Sequence, residues 1–196
     1  MYTWGYLKDA TLAKLDLEQD EANEMKLINR FVFYANEVIT QVCSAIKPKR
    51  TFYKIVVNDD NLGKLIVIDD VNFISFSDDM SMLEVTEYGD RILTECTSND
   101  LMYKGHNQVI CFRKGIYNIA YNARWYTFTN STDENQVLPV PADILDCIPS
   151  YIASQCYKID DEYKSSVFRN EYEMFLARID NTDFKTNTTF AIGGDW

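Results

Sequence analysis

The chain has 196 residues, of which 46% are hydrophobic and 25% are charged, so it can bury the core of one or two globular domains. This composition argues against extensive disorder. A formal net charge of −11 also argues against a protein that grips nucleic acid through its overall field, because phosphate binding depends on lysine and arginine.

Membrane insertion and secretion are also disfavoured. The longest apolar runs are far shorter than the roughly 20 residues that a membrane-spanning helix needs, and the opening MYTWGYLKD lacks the regions of a signal peptide. The cysteines form no C-x-x-C pair; they are Cys43, Cys96, Cys111, Cys147 and Cys156. We therefore expect reduced, buried thiols in a protein without membrane spans.

Helical periodicity marks the first 50 residues. Residues 6–14 form a short predicted helix, and a longer helix is predicted from about Glu21 to Ile46. Acidic residues lie at the start of the long helix and basic residues follow it, as the helix dipole favours, and Pro48 ends it.

Between Thr51 and about Thr129 the period of the pattern changes from 3.6 to 2. β-branched and aromatic residues gather there in eight runs that we interpret as strands: FYKIVV, KLIVI, VNFISF, MLEVTEY, RILTECT, QVICF, GIYNIAY and RWYTF. Gly89-Asp90 and Lys114-Gly115 are the clearest two-residue hairpin turns. Strands this close together favour an antiparallel sandwich or barrel.

The segment from Pro139 to Asp180 predicts two helices joined by a short turn. The first begins behind Pro141, and Pro149 either kinks or restarts it. The second begins where Asp160 and Asp161 can cap free N–H groups. Its predicted apolar stripe comprises Tyr163, Val167 or Phe168, Tyr172, Phe175 or Leu176, and Ile179.

These elements predict an α+β fold with a helical domain built from both chain ends and an inserted antiparallel β-sandwich or barrel domain. The predicted boundaries are 1–50 for the N-terminal helices, 51–130 for the β domain and 131–180 for the C-terminal helical pair. Residues 181–196 form a predicted mobile tail. Its apolar residues are candidate anchors on a neighbouring subunit or partner: Phe184, Phe190, Ile192 and Trp196.

We expect no enzyme, because no convergent set of reactive groups is evident. The single histidine, His106, lies in a Lys-Gly-His-Asn turn with no base–nucleophile pair around it. The segment from Asn58 to Gly63 fails as a calcium loop, since Leu62 occupies a position that needs an oxygen ligand. Without a P-loop or a dinucleotide fingerprint, we expect no metal and no cofactor.

One basic cluster interrupts this acidic chain; it comprises Lys47, Lys49, Arg50 and Lys54. These residues complement the C-terminal end of the long helix, or they contact an acidic partner or a DNA phosphate. We treat them as candidate subunit or partner contacts. The tryptophans would also mark contacts if they are exposed; they are Trp4, Trp125 and Trp196.

Two stretches suggest a family. One is Pro-x-Asp (141–143), Ile-Pro-x-Tyr-Ile-Ala (148–153), an Asp-Asp break and Phe-Arg-Asn-Glu-Tyr-Glu followed by Leu-Ala-Arg (168–178). It resembles the C-terminal helical pair of head–tail connector, or adaptor, proteins in the neck of tailed bacteriophages. The other, GIYNIAYNA (115–123), is similar to the strand that precedes this pair. Its buried face should carry Tyr117, Ile119 and Tyr121.

The resemblance implies a structural virion protein. Such subunits form a ring, usually of twelve copies, that joins the portal protein to downstream neck or tail proteins around the DNA channel. DNA would pass through without specific binding. The implied location is the phage neck, after assembly in the host cytoplasm and without a membrane partner.

Three alternatives remain. One is another virion ring protein, such as a six-fold tail-completion subunit. The second is a carbohydrate-binding β module, which would need an exposed coplanar pair of aromatic side chains. The third is an unrecognised hydrolase, which would need clustered carboxylates whose pKa values are split.

Overall fold

A computed structural model describes residues 2–24, 26–87 and 90–179. The predicted tail, with Phe184, Phe190, Ile192 and Trp196, lies outside these described residues. Within them the α+β class is confirmed, since helices occur together with antiparallel sheets. No helix in these ranges has the length and apolar character to cross a membrane.

Three helices open the described chain: α1 (Trp4–Leu15), α2 (Gln19–Glu24) and α3 (Ile28–Ala45). The prediction of one long helix from Glu21 to Ile46 is wrong, because Lys26 adopts a left-handed φ of 56°. The next N–H, that of Leu27, donates to the Ala22 carbonyl at 3.0 Å. This is the Schellman arrangement, which ends a helix and redirects the chain.

The strands of the described residues are β1 (Lys49–Val57), β2 (Leu65–Val67), β3 (Phe73–Phe76), β4 (Met82–Glu87), β5 (Asp90–Glu95), β6 (Leu101–Lys104), β7 (Gln108–Cys111) and β8 (Gly115–Ala123). Five form an antiparallel sheet in the order β1-β8-β4-β5, with β3 also paired to β8. The others form a second sheet in the order β2-β7-β6. β1 and β8 pair along their whole lengths, from Lys49↔Ala123 to Val57↔Gly115.

The predicted turn at Lys114-Gly115 is wrong as a hairpin. β7 and β8 belong to different sheets, so residues 112–114 carry the chain from one sheet to the other. Gly115 has a φ of 150°, and a Cβ there would lie 2.5 Å from the Glu84 carbonyl oxygen. Glycine is therefore required where the start of β8 approaches the β4 backbone. At the other predicted turn, β4 and β5 do form a hairpin, but Asp90 already belongs to β5; Gly89 lies outside the described residues.

Residues 124–128, predicted as the strand RWYTF, form no strand, whereas β6 was not predicted. The backbone N–H of Phe128 donates to Asn36 Oδ1 at 2.8 Å, and Asn36 Nδ2 donates to the Phe128 carbonyl at 2.9 Å. A side chain of α3 thus satisfies the polar groups that a neighbouring strand would have bonded. This segment connects the sheet to the helices.

The C-terminal helices are α4 (Ala142–Leu145), α5 (Cys147–Tyr157) and α6 (Glu162–Leu176). Pro149 lies in the first turn of α5, where its missing N–H breaks no bond, so the helix restarts rather than kinks. Asp161 caps α6, since its Oδ1 accepts the Lys164 N–H at 2.9 Å. Helices α1, α3 and α6 all pack against α5.

Two clusters of buried side chains form the core. One draws its members from residues 4–43 and 128–179, and the other from residues 55–123. Strands of both sheets contribute to the second cluster, which includes Val109 of β7. The predicted burial of one face of β8 is confirmed for Tyr117, Ile119 and Tyr121.

The predicted apolar stripe of α6 is partly wrong. Tyr172 is fully buried, and its hydroxyl donates to Gln41 Oε1 at 2.8 Å. Phe168 packs half-buried against the same core. Tyr163 and Val167, however, are 78% and 45% exposed. The buried face is centred on Tyr172, and the other two side chains lie on the opposite side of the helix.

Candidate interaction surfaces

The four residues of the basic cluster do not form one patch. Lys49 and Lys54 are exposed on β1, and Arg50 Nη1 lies 2.9 Å from Asp79 Oδ1 at the surface. Lys47 is only 4% exposed, and its Nζ lies 2.8 Å from Asp143 Oδ2. Lys49 and Lys54 therefore remain available to a partner, whereas Lys47 in this conformation is an internal link between the start of β1 and α4.

The tryptophans of the described residues also act inside the fold. Trp4 is buried, with its ring centroid 4.7 Å from that of Phe128. Trp125 is half-buried, and its Nε1 donates to the Lys47 carbonyl at 3.0 Å. Both side chains pack where the chain passes between the sheet and the helices. Trp196 lies outside the described residues. Because Trp4 is buried, it is not one of the exposed tryptophans that would mark a contact.

The outward face of the five-stranded sheet is the first candidate surface. Strand pairing places Val56, Ile116, Glu84 and Leu93 in one row across β1, β8, β4 and β5. Val56 and Leu93 are exposed, as is Phe52 four residues before Val56 on the same face of β1. A shallow depression of about 150 Å³ lies among Phe52, Met82, Leu93 and Asn118. Apolar side chains thus share with Glu84 and Lys54 a sheet face that would ordinarily be polar throughout.

The outward face of the three-stranded sheet is a second candidate surface. Leu65 of β2, Ile110 of β7 and Met102 of β6 are direct cross-strand neighbours. Leu65 and Met102 are exposed, and so is Val67 two residues along β2. This apolar row lies away from the core that the two sheets share.

The outward face of α6 is the third candidate surface. Tyr163, Val167 and Met174 are all exposed, although Tyr172 between them is completely buried. An α-helix turns 100° per residue, so the three exposed side chains fall within a narrow sector opposite Tyr172. The helix therefore has one apolar face in the core and a second that faces solvent.

A groove of about 280 Å³ runs between α1, α5 and α6, with Leu7, Pro149 and Phe175 among its lining residues. The Tyr2 hydroxyl at its edge donates a hydrogen bond to Asp146. That bond raises the pKa of Tyr2 to about 12, with burial adding to the shift. Its phenol therefore stays protonated and structural near neutral pH.

The described residues show no cluster of metal-binding side chains. No three histidine, cysteine, aspartate or glutamate side chains among them come together as metal ligands. His106 is exposed in its turn, with its ring centroid 5.2 Å from that of Phe73 and the two rings nearly perpendicular. In the Asn58–Gly63 turn, Asn58 Oδ1 accepts the Asp60 N–H, and Asn61 Oδ1 accepts the Asn58 N–H. These bonds close a turn.

The cysteines have the character of structural thiols. Burial raises the pKa of Cys147 and Cys111 to about 12 and that of Cys96 and Cys156 to about 11. Burial likewise raises the pKa of Cys43. A reactive cysteine needs a lowered pKa, so these groups are unsuited to nucleophilic chemistry at neutral pH.

No known protein family matches this chain, and no curated protein matches it significantly. The three surfaces and the two stretches of sequence resemblance are therefore the grounds for a functional assignment. The surfaces themselves had a signal in the sequence. Apolar residues occur at both parities of β1 and at two opposite angles of α6, a pattern typical of elements with contacts on both sides.

Proposed function

We propose that the protein is a structural subunit of a tailed-phage neck, a head–tail connector that forms a ring between portal and tail. The observation that carries the proposal is the order of a strand resembling that of connectors followed by their helical pair. In this chain those stretches correspond to β8 and to α4–α6. In the same proposal, the portal protein and downstream neck or tail proteins are the partners, and the virion neck is the location.

The proposal includes a two-domain organisation. Residues from both chain ends form the helical domain, and a β-sandwich domain is inserted between them. The two clusters of buried side chains come from different segments of the chain, which supports this division. Entry and exit through the paired strand ends Lys49 and Ala123 support it as well.

Three exposed apolar faces also favour an assembly subunit. Monomeric proteins rarely leave several such faces open to water, and in a ring each subunit needs contacts to two neighbours and to the layers above and below. The faces lie on the five-stranded sheet, the three-stranded sheet and α6. Of the basic cluster, Lys49 and Lys54 are the members that can meet an acidic neighbour.

The charge of the chain fits a passage for DNA. A ring of subunits that each carry −11 repels phosphate, so duplex DNA would slide through the channel without specific binding. The proposed role needs no catalytic group, cofactor or membrane partner.

The carbohydrate-binding alternative is less well supported. Among the ring pairs of the described β region, Phe73 and Tyr121 are nearly parallel, with an interplanar angle of 14°. Both of these residues are buried, so they offer no platform to a sugar. Phe76 and Tyr103 meet at 42°, which is far from coplanar.

Native mass spectrometry and two-dimensional image averages of the purified chain, alone and with portal rings, test the proposal. A connector should give closed rings, expected to contain twelve copies, that bind the portal. Rings of six would favour the tail-completion alternative. A chain that forms no ring alone or on portals, at any concentration, would contradict the proposal.

A further inference from the structure

The outward face of α6 is uncharged over its whole length. Its residues, continued by Ala177 directly after the helix, follow one another at intervals of four and three: Tyr163, Val167, Asn170, Met174 and Ala177. All five are exposed. Intervals of four and three are those of the a and d positions of a coiled coil. We call this face the α6 strip.

Charged residues border the α6 strip on both sides. One border carries Lys164 and Glu171 of α6 and Arg178 two residues after its end, and the other carries Glu162, Arg169 and Glu173. The sign of the charge alternates along each border, and the two borders begin with charges of opposite sign. An apolar seam between charged borders is how a helix is built when a second helix packs against it.

We propose that the α6 strip binds the α6 strip of a second copy of this chain, with the two helices parallel and in register. In that arrangement Glu173 at the border of one helix lies beside Arg178 of the other, because parallel coiled coils bring together border residues five positions apart. The two-fold symmetry makes this charge pair twice. Charge complementarity thus favours a second copy as the occupant.

Asn170 selects the parallel direction. In register, the two Asn170 amides face each other and can exchange hydrogen bonds, so both amides keep a partner in the seam. Antiparallel helices would instead set each Asn170 against Val167 of the other copy. A buried amide beside an apolar side chain loses its hydrogen bonds to water without replacement.

α6 has 15 residues, which is enough for this contact because the rest of the fold already holds the helix in place. An isolated helix of this length would be marginal in water, but Tyr172 and the cap at Asp161 hold α6 on its own core. Pairing therefore does not have to form the helix. A two-fold contact also differs from the head-to-tail contact of a ring, so the inference does not rest on the proposed function.

Light scattering of the full chain over a range of concentrations tests the pairing, with Val167→Glu as the variant and Val71→Glu as its matched control. Val71 is 81% exposed in a loop after β2, so it receives the same substitution away from α6. At concentrations where rings do not form, we expect the wild type and Val71→Glu to associate in pairs. Val167→Glu should weaken this association at least about tenfold, since the pair would bury an unpaired charge. Because Val167 is exposed, both variants should melt like the wild type at concentrations too low for pairing.

Two further variants test the direction. Glu173→Arg should weaken pairing, and adding Arg178→Glu should restore it. The ion pair of Arg169 with Glu173 inside one helix, at 2.9 Å, stays broken in the double variant, so recovery reports the contact between copies. Met174→Cys should form a disulfide between copies on mild oxidation only when the helices are parallel and in register.

A wild-type chain that stays monomeric would overturn the inference and leave the α6 strip to a different protein. Equal association of Val167→Glu and Val71→Glu would overturn it as well. If copies pair but Met174→Cys gives no disulfide between them, the parallel arrangement is wrong.

Discussion

Gly115 occupies a position where any side chain would displace a neighbouring strand. Its φ of 150° requires glycine, and so does the Glu84 carbonyl oxygen, which would lie only 2.5 Å from a Cβ at this position. Gly115→Ala should therefore destabilise the protein by at least about 2 kcal/mol in urea unfolding. Gly63 is the control: its φ is 69° but nothing lies near its Cβ position. Gly63→Ala should cost about 1 kcal/mol, and equal losses for the two variants would contradict the steric explanation.

The ion pair of Lys47 and Asp143 joins the start of β1 to the first turn of α4. Asp143→Asn should destabilise the fold by about 1–3 kcal/mol, because the buried ammonium loses this carboxylate while the carboxylate side is partly open to water. Asp79→Asn removes the comparable partner of Arg50 at the surface, where we expect about 0–1 kcal/mol. Chemical denaturation of both variants measures the difference. A loss no larger for Asp143→Asn than for Asp79→Asn would mean that burial does not strengthen the first pair.

At the level of elements, the two faces of α6 contribute unequally to the free energy of unfolding. Tyr172→Ala should cost about 3–5 kcal/mol, since a fully buried ring and its bond to Gln41 are lost. Phe168→Ala, at a half-buried position, should cost about 1–3 kcal/mol, and Tyr163→Ala should change stability by less than about 0.5 kcal/mol. Thermal and urea unfolding establish the order. A Tyr163→Ala variant as unstable as Tyr172→Ala would show that the core face is assigned incorrectly.

Periodicity predicted the helices and most strands because burial on one side leaves a regular pattern. It failed where the backbone conformation of one residue, or a contact between residues far apart in sequence, decided the structure. The break at Lys26 depends on a left-handed residue, a conformation for which lysine carries no sequence signal. Residues 124–128 have the composition of a strand, but Asn36, far away in sequence, bonds the backbone of Phe128 in place of a strand.

The candidate surfaces were harder to predict than the fold. Lys47 belongs to a run of basic residues in the sequence, and only packing against Asp143 removes it from the surface. In α6, Tyr163 and Val167 were merged with Phe168 and Tyr172 into one stripe. A helix that is apolar on two opposite sides cannot show from its sequence which side faces the core.

At the level of the whole molecule, the acidic net charge should prevent tight binding of DNA. Fluorescence anisotropy with a labelled duplex at physiological salt should show no binding tighter than about 10 µM. Lys49→Glu and Lys54→Glu should leave this result unchanged, because they are proposed to contact protein. Tight binding that weakens steeply with salt and is lost in these variants would show instead that the exposed part of the basic cluster holds phosphate.

The paired strand ends at Lys49 and Ala123 have an evolutionary consequence. Paired residues of antiparallel strands lie about 5 Å apart, so in the proposed two-domain plan the chain enters and leaves the β domain at two adjacent residues. Replacing residues 50–122 by a short glycine–serine turn should leave a helical remnant that still unfolds cooperatively when followed by circular dichroism; loss of cooperative unfolding would show that the helices depend on the excised part. A domain inserted at two adjacent residues can be exchanged or lost between related genomes in one genetic event, because the path of the chain through the helical domain does not change.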